Sequence, residues 1–301
     1  MSATALAALK NNAAAPALLR TRDALMRSRA VQRAVRTGTL RGYIPQHVWE
    51  HLRPTGVWTV HAPDGAPFWY ACDPDDVLAG VVVWSDLAVW EEETHPLLHQ
   101  LARTARGFLD AGAYAGLYTL LACRANPRLR AVAVEPNPVA QRILRRNIAV
   151  NALEDRVRVV PKALSDAPGT ARLALPPRIT MASLERTADS THGVDVPVTT
   201  GDQAVGEQPI DLVKIDVEGF EPQVLRGLAR TLERDRPVLF TECLDARALE
   251  QVTATAREFG YTWVRHLGPE GPAPVSPGMS PTAHHRNFLL ATGPVPGAGR
   301  A

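Results

Sequence analysis

Residues 107 to 120 read Gly-Phe-Leu-Asp-Ala-Gly-Ala-Tyr-Ala-Gly-Leu-Tyr-Thr-Leu, and this stretch decides the fold. A short apolar run reaches Asp110, turns through Gly112 and Gly116, and continues as an apolar-periodic segment to about Arg124. The pattern predicts a buried strand, a tight glycine turn and a helix, which together open a nucleotide-cofactor fold. Gly112 permits a sharp turn close to a ligand because it lacks a Cβ, and the helix near Gly116 offers free backbone N–H groups to an anion.

The glycine spacing and the acids around it indicate which cofactor is bound. A dinucleotide turn is spaced G-x-G-x-x-G with its pyrophosphate on the helix N-terminus, whereas this chain has G-x-x-x-G with Asp110 at the strand end. A carboxylate there repels a pyrophosphate but suits the cationic amino group of S-adenosylmethionine. Glu135 ends the next apolar run and follows Gly112 at the distance expected of a ribose-binding acid. We therefore predict S-adenosylmethionine; the alternative is an ordinary α/β turn with two surface acids.

Further motifs follow the turn in a fixed order. They are Val134-Glu135-Pro136-Asn137-Pro138, then Asn147 and Asn151, then Ala163-Leu164-Ser165-Asp166, then Lys214-Ile215-Asp216-Val217-Glu218-Gly219. With residues 108–119, these motifs resemble the FkbM family of S-adenosylmethionine-dependent methyltransferases in order and spacing, from about Trp90 to Leu290. The resemblance implies an α/β, Rossmann-like class I methyltransferase fold. Its sheet would be mostly parallel and seven-stranded, with an antiparallel C-terminal strand, after an N-terminal helical and β extension.

The resemblance also implies a set of cofactor-binding residues. They are Asp110, Gly112, Tyr114, Gly116, Glu135 and Asp166. Asp110 and Gly112 would flank the methionine portion, and Glu135 would accept from the ribose hydroxyls. Asp166 is a candidate for the adenine amino group, with a turn-capping aspartate as the alternative. Tyr114 stands where the family usually carries Asn, so its hydroxyl either keeps a polar contact with the cofactor or its ring walls the pocket.

Acids at strand ends are the candidates for the chemical step. Ligands of open α/β sheets sit beyond the carboxyl ends of the strands, and a hydroxyl acceptor of a methyl group must lose its proton to a base. Asp216 and Glu218 follow the apolar run 210–215, so we predict that they face the methyl donor as catalytic residues. With Glu242 they are alternatively ligands of a divalent cation, which we do not favour; Glu218 alternatively charges a helix start. Glu242 by position, and Glu91 by the resemblance, are expected to contact the acceptor.

Other polar residues carry weaker signals. Lys214 is expected to lie inside a strand, paired with a neighbouring acid. Four histidines are candidate bases by residue type alone, although a lone histidine is more often structural. They are His95, His192, His284 and His285. Trp84 and Trp90 are expected in the core or in a lid, with a place in the acceptor pocket as the alternative.

Composition bounds the class of protein. The chain has 301 residues, 46% hydrophobic and 21% charged, with a net charge of +2. These values suit one large α/β domain with an extension and favour neither nucleic acid nor a membrane as partner. Cys72, Cys123 and Cys243 lack metal-ligand spacing and are expected to be buried thiols in a reducing compartment. Without an apolar run of transmembrane length or a signal-peptide core, we expect a cytoplasmic protein.

We divide the chain into a helical arm (1–41), a small β-rich extension (42–90), an S-adenosylmethionine-binding domain (91–292) and a flexible tail (293–301). The arm has a basic face that we expect to be solvated, and we expect the arm to pack on the domain or on a second subunit. The alternative is that its arginines bind an anionic partner. These arginines are Arg20, Arg22, Arg27, Arg29, Arg33 and Arg36.

Local patterns predict further elements. We expect a hairpin from 57–60 and 68–70, a strand over 80–84 and a helix over 91–106. Later we expect an inserted hairpin from 169–175 and 194–198, with a polar loop at 178–193, and a single helix over 221–233. The Pro- and Gly-rich stretch 268–281 is expected to be a loop.

Together these features predict an S-adenosylmethionine-dependent methyltransferase. By the resemblance, the acceptor is a hydroxyl oxygen on a sugar or natural-product scaffold. The arginine-rich arm leaves open the methylation of a nucleic acid or another large anionic polymer. A non-catalytic cofactor-fold protein acting as an assembly partner is the third alternative, and Tyr114 is the one feature that favours it.

Overall fold

A central sheet organises the computed structural model, which describes residues 21–174, 193–276, 278–282 and 285–299. Within those residues the sheet has eight strands. In spatial order they are β12 (Gly271–Pro274), β11 (Trp263–Gly268), β13 (Asn287–Ala291), β10 (Val238–Glu242), β9 (Leu212–Ile215), β3 (Gly107–Ala111), β4 (Arg130–Val134) and β5 (Val157–Val160). Strands β10, β9, β3, β4 and β5 pair in parallel, and β13 is antiparallel to both of its neighbours. The predicted mostly parallel sheet with an antiparallel C-terminal strand is confirmed.

The eighth strand, β12, corrects the predicted loop over 268–281. It pairs antiparallel with β11 at the edge of the sheet, from Arg265 opposite Pro274 to Gly268 opposite Gly271. Proline lacks the N–H that a central strand needs but is tolerated at a sheet edge. The proline signal therefore marked an edge strand rather than a loop.

Helices cover both faces of this sheet. They are α4 (His95–Ala102), α5 (Leu117–Ala125), α6 (Pro138–Val150), α7 (Gly201–Val205), α8 (Glu221–Gly227), α9 (Ala229–Asp235) and α10 (Ala246–Glu258). Successive residues of β3 point to opposite faces, so Phe108 joins the core that contains Leu121 and Leu109 joins the core that contains Val224. The single helix predicted over 221–233 is wrong, because the chain forms α8 and α9 there, separated at Leu228.

The arm contains α1 (Arg29–Leu40). The extension contains α2 (Gln46–Trp49), the predicted hairpin of β1 (Gly56–His61) with β2 (Pro67–Cys72), and α3 (Ala79–Ser85). The strand predicted over 80–84 is wrong: these residues lie in α3, with Val82, Val83 and Trp84 fully buried. A short apolar run buried on all sides has no periodicity to separate a strand from a helix. The helix predicted over 91–106 is shorter, since α4 begins only at His95.

Two arginines of the arm bind within the protein. The guanidinium carbons of Arg29 and Arg36 lie 4.9 and 5.6 Å from the ring centroid of Trp58. Arg29 donates to the backbone oxygens of Thr55 and Val57, and Arg36 forms an ion pair with Asp86. Arg29 is nevertheless exposed, as predicted for the basic face, whereas the side chain of Arg36 is only 13% exposed and departs from that prediction. Residues 1–20, with Arg20, lie outside the described residues.

Two asparagines of α6 fasten the hairpin to the domain. Asn147 accepts from the Ala71 N–H at 2.7 Å and donates to the Ala115 oxygen at 2.9 Å. Asn151 accepts from the Trp69 N–H at 2.8 Å and donates to the Trp69 oxygen at 2.7 Å. Asn147 thus joins strand β2 directly to the glycine turn.

The inserted hairpin and the C-terminal end complete the description. Strands β6 (Ala163–Leu164), β7 (Gly169–Ala174) and β8 (Gly193–Thr199) form a small sheet in the order β6–β8–β7, and the β7–β8 pairing confirms the predicted hairpin. Of the expected loop at 178–193, only residue 193 is among the described residues. Val295 and Ala298 are buried in the core, which differs from the expectation of a loose tail.

Two further predictions concern membrane-spanning helices and the state of the cysteines. Over the described part of the chain, none of the helices combines the length and apolar character needed to cross a membrane. Cys72, Cys123 and Cys243 are buried free thiols, as expected.

Candidate functional site

Two neighbouring cavities lie beyond the carboxyl ends of β3, β4, β9 and β10. The larger, of about 200 Å³, extends from Glu135 to Glu242, and the smaller, of about 50 Å³, lies against Asp110 and Lys214. The residues that line both are Leu78, Trp90, Glu91, Gly112, Tyr114 and Asp216. The parallel strands bring these groups together because their carboxyl ends meet at one edge of the sheet.

The two glycines of the turn are required by packing against neighbouring elements. A Cβ on Gly112 (φ 84°) would lie 1.8 Å from the Asp216 carbonyl oxygen, and a Cβ on Gly116 (φ 85°) would lie 2.5 Å from a methyl group of Leu144. Gly112 lines both cavities, whereas Gly116 lines neither and begins helix α5 as its N-cap. Glycine is therefore required at both positions, because the turn lies in close contact with the end of β9 and with α6.

Asp110 holds the start of α5. Its Oδ2 accepts from the Thr119 N–H at 3.0 Å and from the Thr119 hydroxyl at 2.6 Å. Burial raises the pKa of Asp110 to about 6. One carboxylate oxygen of Asp110 therefore already holds the helix. The predicted contact with a cofactor would use the other oxygen.

Glu135 presents a buried carboxylate to the larger cavity. The residue is 6% exposed, its Oε2 accepts from the Tyr114 N–H at 2.8 Å, and its Oε1 accepts from the Asn137 N–H at 2.7 Å. Burial raises the pKa of Glu135 to about 7, against the lowering effect of the two N–H groups. Each oxygen has a further lone pair, so this carboxylate suits two adjacent hydroxyl donors.

Tyr114 forms a wall between the turn and the extension. Its ring lines both cavities, and its hydroxyl accepts from the Val77 N–H at 3.1 Å. The hydroxyl is therefore directed to the extension. Of the two alternatives considered for this position, the structure favours the ring as a wall of the pocket.

The predicted catalytic acids meet at the other end of the larger cavity. Asp216, Glu218 and Glu242 each offer an oxygen within 4.8 Å of the others, an arrangement that could hold a metal ion. Lys214, 1% exposed, places its ammonium 3.2 Å from Asp216 Oδ2, which confirms the expected pairing with a neighbouring acid. Burial, and then the charge of Asp216, raise the pKa of Glu242 to about 9 and that of Glu218 to about 7. The cluster therefore contains its own cation, and burial favours the protonated form of Glu242.

Glu91 lies beside this cluster. It precedes α4 with a left-handed backbone (φ 41°) and accepts a hydrogen bond from the Tyr118 hydroxyl. The Lys214 ammonium is 5.3 Å from the centroid of the Tyr118 ring. Burial raises the pKa of Glu91, while the charge of Lys214 opposes that rise. Glu91, Tyr118 and Lys214 together form a polar wall of the smaller cavity.

Some predicted residues lie elsewhere. Asp166 is exposed, lines neither cavity, and contacts the hydroxyl of Ser165 at 3.2 Å, so the structure does not bring it to the site. His95 is buried outside both cavities, and burial lowers its pKa to about 4. His285 lies 3.0 Å from a Glu93 oxygen and also lines neither cavity. His192 and His284 lie outside the described residues.

Sequence reasoning missed several lining residues. They are Leu78, Pro136, Asn137, Lys162, Ala163, Leu164, Leu173 and Val217. Asn137 accepts from the Val139 N–H as the N-cap of α6, and the Asn-Pro pair after Glu135 could have indicated it. No sequence pattern indicated Leu78, because this residue lines the cavity only when the extension packs against the domain.

These features define a class: a doubly wound α/β protein with a cavity at the carboxyl ends of its parallel strands and a buried acid, Glu135, in the wall of that cavity. The model of the FkbM methyltransferase domain matches residues 110–266. The chain therefore belongs to the FkbM methyltransferase family, and the resemblance inferred from its motifs is confirmed.

Individual relatives match more partially. The methyltransferase sdnD of Sordaria araneosa is 33% identical over 153 residues, which is 40% of this chain and 59% of that protein. A methyltransferase FkbM from Methylobacillus flagellatus KT is 16% identical with a TM-score of 0.46, over 73% of this chain and 56% of that one. An O-methyltransferase from Bacillus cereus in complex with SAH is 16% identical with a TM-score of 0.37, over 64% and 77%. At such scores these two structures say nothing about the acceptor.

Proposed function

We propose that this chain is an S-adenosylmethionine-dependent methyltransferase that methylates a hydroxyl oxygen of a small molecule such as a sugar or natural product. The observation that carries the proposal is one cavity with a buried diol-binding acid, Glu135, at one end and the acids Asp216 and Glu218 at the other. Such a cavity joins a nucleoside site to a site where a proton can be accepted. Membership of a methyltransferase family supports the reaction type.

The residues present fit the cofactor. Glu135 would accept from the ribose hydroxyls. The smaller cavity contains the ammonium of Lys214 and the carboxyl group of Asp110, which suit the carboxylate and amino group of an amino acid. The first turn of α5, which also lines that cavity through Leu117 and Tyr118, has N–H groups without intrahelical partners. Bound there, S-adenosylmethionine would supply a methyl group on a sulfonium, which needs orientation more than covalent help from the protein.

The acids at the acceptor end would move the proton. An ordinary hydroxyl is not ionised at neutral pH, so a neighbouring group must take its proton as the oxygen attacks. Asp216 and Glu218 are the proposed bases, and the pKa of Glu218, raised to about 7 by burial and Asp216, suits a base that works near neutrality. We favour this mechanism over a divalent cation because the Lys214 ammonium already neutralises Asp216 at 3.2 Å.

Arg29 and Arg36 contact Trp58 and the backbone of the hairpin. These contacts disfavour the alternative in which the acceptor is a nucleic acid or another anionic polymer. Binding of such a polymer would be strongly salt-dependent.

Calorimetry on the purified protein tests the cofactor. We expect binding of S-adenosylmethionine or its demethylated product and not of NAD. Glu135→Ala should weaken that binding by about 2–3 kcal/mol, because two charge-assisted hydrogen bonds are lost. The matched control is Asp166→Ala, which removes an exposed acid outside the cavity and should leave the affinity unchanged. Unchanged affinity in Glu135→Ala would remove that residue from the site, and a wild type that binds no S-adenosylmethionine would overturn the proposal.

A further inference from the structure

A buried acid in the extension, Asp76, has no role in the function proposed above. It is 3% exposed and lines neither cavity. Its Oδ2 accepts from the Tyr70 hydroxyl at 2.7 Å and its Oδ1 from the Leu78 N–H at 2.9 Å. Burial raises the pKa of this carboxyl group to about 6, and the Tyr70 and Tyr114 hydroxyls act against that rise. Asp76 therefore holds Tyr70 directly and lies beside Tyr114, so that one buried carboxylate links the elements that carry the two phenols.

Tyr114 connects this network to the cofactor turn. Its backbone is left-handed (φ 47°), a conformation that a residue with a Cβ keeps only when its surroundings impose it. Its N–H donates to Glu135 at 2.8 Å, and its hydroxyl accepts from the Val77 N–H at 3.1 Å, next to Asp76 in the extension. One residue is thus held at its backbone by the proposed ribose-binding acid and at its side chain by the extension.

The extension also supplies part of the cavity wall. Leu78, two residues beyond Asp76, lines both cavities beside the Tyr114 ring. The fully buried Tyr70 lies on strand β2, which Asn147 fastens to the turn through the Ala71 N–H and the Ala115 oxygen. Docking of the hairpin and the shape of the cofactor turn therefore depend on one set of contacts.

We propose that Tyr70 and Asp76 are positioning residues that set cofactor affinity by holding Tyr114 against the turn. The inference rests on the proposed function, since it needs the cofactor to bind beside Tyr114 and Glu135. It assigns the hairpin a part in ligand binding: cofactor binding and hairpin docking stabilise each other. Tyr70 lines neither cavity, so it influences the ligand only through its neighbours, and its hydroxyl donates to Asp76.

A double-mutant cycle tests this coupling. Calorimetry with S-adenosylmethionine and with its demethylated product would compare the wild type, Tyr70→Phe, Tyr114→Phe and the double variant. We expect Tyr114→Phe and Tyr70→Phe each to weaken binding by about 5- to 10-fold, and the double variant to bind no more weakly than Tyr114→Phe alone. The matched control is Tyr261→Phe, because Tyr261 is fully buried and donates to the Pro237 oxygen at 2.9 Å, outside both cavities. It should lose thermal stability and keep the wild-type affinity.

Two results would overturn the inference: a Tyr70→Phe variant that binds like Tyr261→Phe, or a double variant whose loss is the product of the two single losses. If Tyr70→Phe does not fold, Asp76→Asn tests the same network by turning an amide nitrogen toward hydrogen-bond donors. It should raise the KM for the cofactor while kcat at saturation stays near that of the wild type; an unchanged KM would also overturn the inference. A wild-type protein without affinity for S-adenosylmethionine would instead contradict the proposed function and, with it, this inference.

Discussion

Glu135 should make the stability of the unliganded protein depend on pH, and Glu135→Gln should remove that dependence. In the folded protein its pKa is raised by burial from 4.5 to about 7. A carboxyl group whose pKa is raised on folding binds its proton more tightly in the folded state. Its contribution to stability is therefore fully present below the unfolded pKa and is lost as the pH rises through the folded pKa.

The size of the effect follows from the two pKa values. Each unit of difference corresponds to about 1.36 kcal/mol. At about pH 8 both states have lost the proton and the contribution is close to zero. At about pH 5 the folded state is protonated and the unfolded state is mostly ionised, so the contribution reaches about 2.5 kcal/mol. The window lies between the two pKa values, 4.5 and about 7.

Urea unfolding at the two pH values measures this contribution. The free energy of unfolding of the wild type, minus that of Glu135→Gln, should be larger at about pH 5 than at about pH 8 by about 2.5 kcal/mol. Subtraction removes the groups that titrate in both proteins, such as Asp110 and His95. Glu154→Gln, at an exposed position, serves as the control for replacing a glutamate with glutamine. A difference for Glu135→Gln that is also independent of pH would refute the buried, proton-binding state of Glu135.

Two further predictions concern catalysis and the turn. Asp216→Asn should lower kcat by about 10²–10⁴-fold with cofactor affinity nearly intact, and wild-type turnover should survive exhaustive chelation; mass analysis of the methylated acceptor measures both. Normal turnover of Asp216→Asn and of Glu218→Gln would exclude these acids as bases, and loss of activity on chelation would favour the cation. Gly112→Ala should destabilise the protein by more than about 2 kcal/mol in urea unfolding, because its Cβ would meet a backbone oxygen at 1.8 Å. Gly169→Ala, with nothing within 4 Å of its added Cβ, is the control and should unfold like the wild type.

Much of the fold could be predicted from local patterns. The strand β3, its turn and the helix α5 depend on an apolar run, two glycines with positive φ and a periodic segment, all within residues 107–125. Glu135 and Asp216 could be predicted to face one cavity because each follows a parallel strand, and parallel strands end at a common edge. The same rule does not apply to Asp166, which was predicted to bind the cofactor. The strand that precedes it, β6, belongs to the small sheet and not to the central one.

The sequence by itself therefore determined the sheet, the cofactor turn and the acids at the strand ends, because each depends on residues close together in the chain. Only the tertiary structure decided that residues 79–85 are helical and that Leu78 lines the cavities. Tertiary structure alone also directs the Tyr114 hydroxyl to Val77, 37 residues away in sequence. The physical reason is the same in each case. Burial and hydrogen bonding between distant segments choose among states that the local sequence leaves nearly equal in energy.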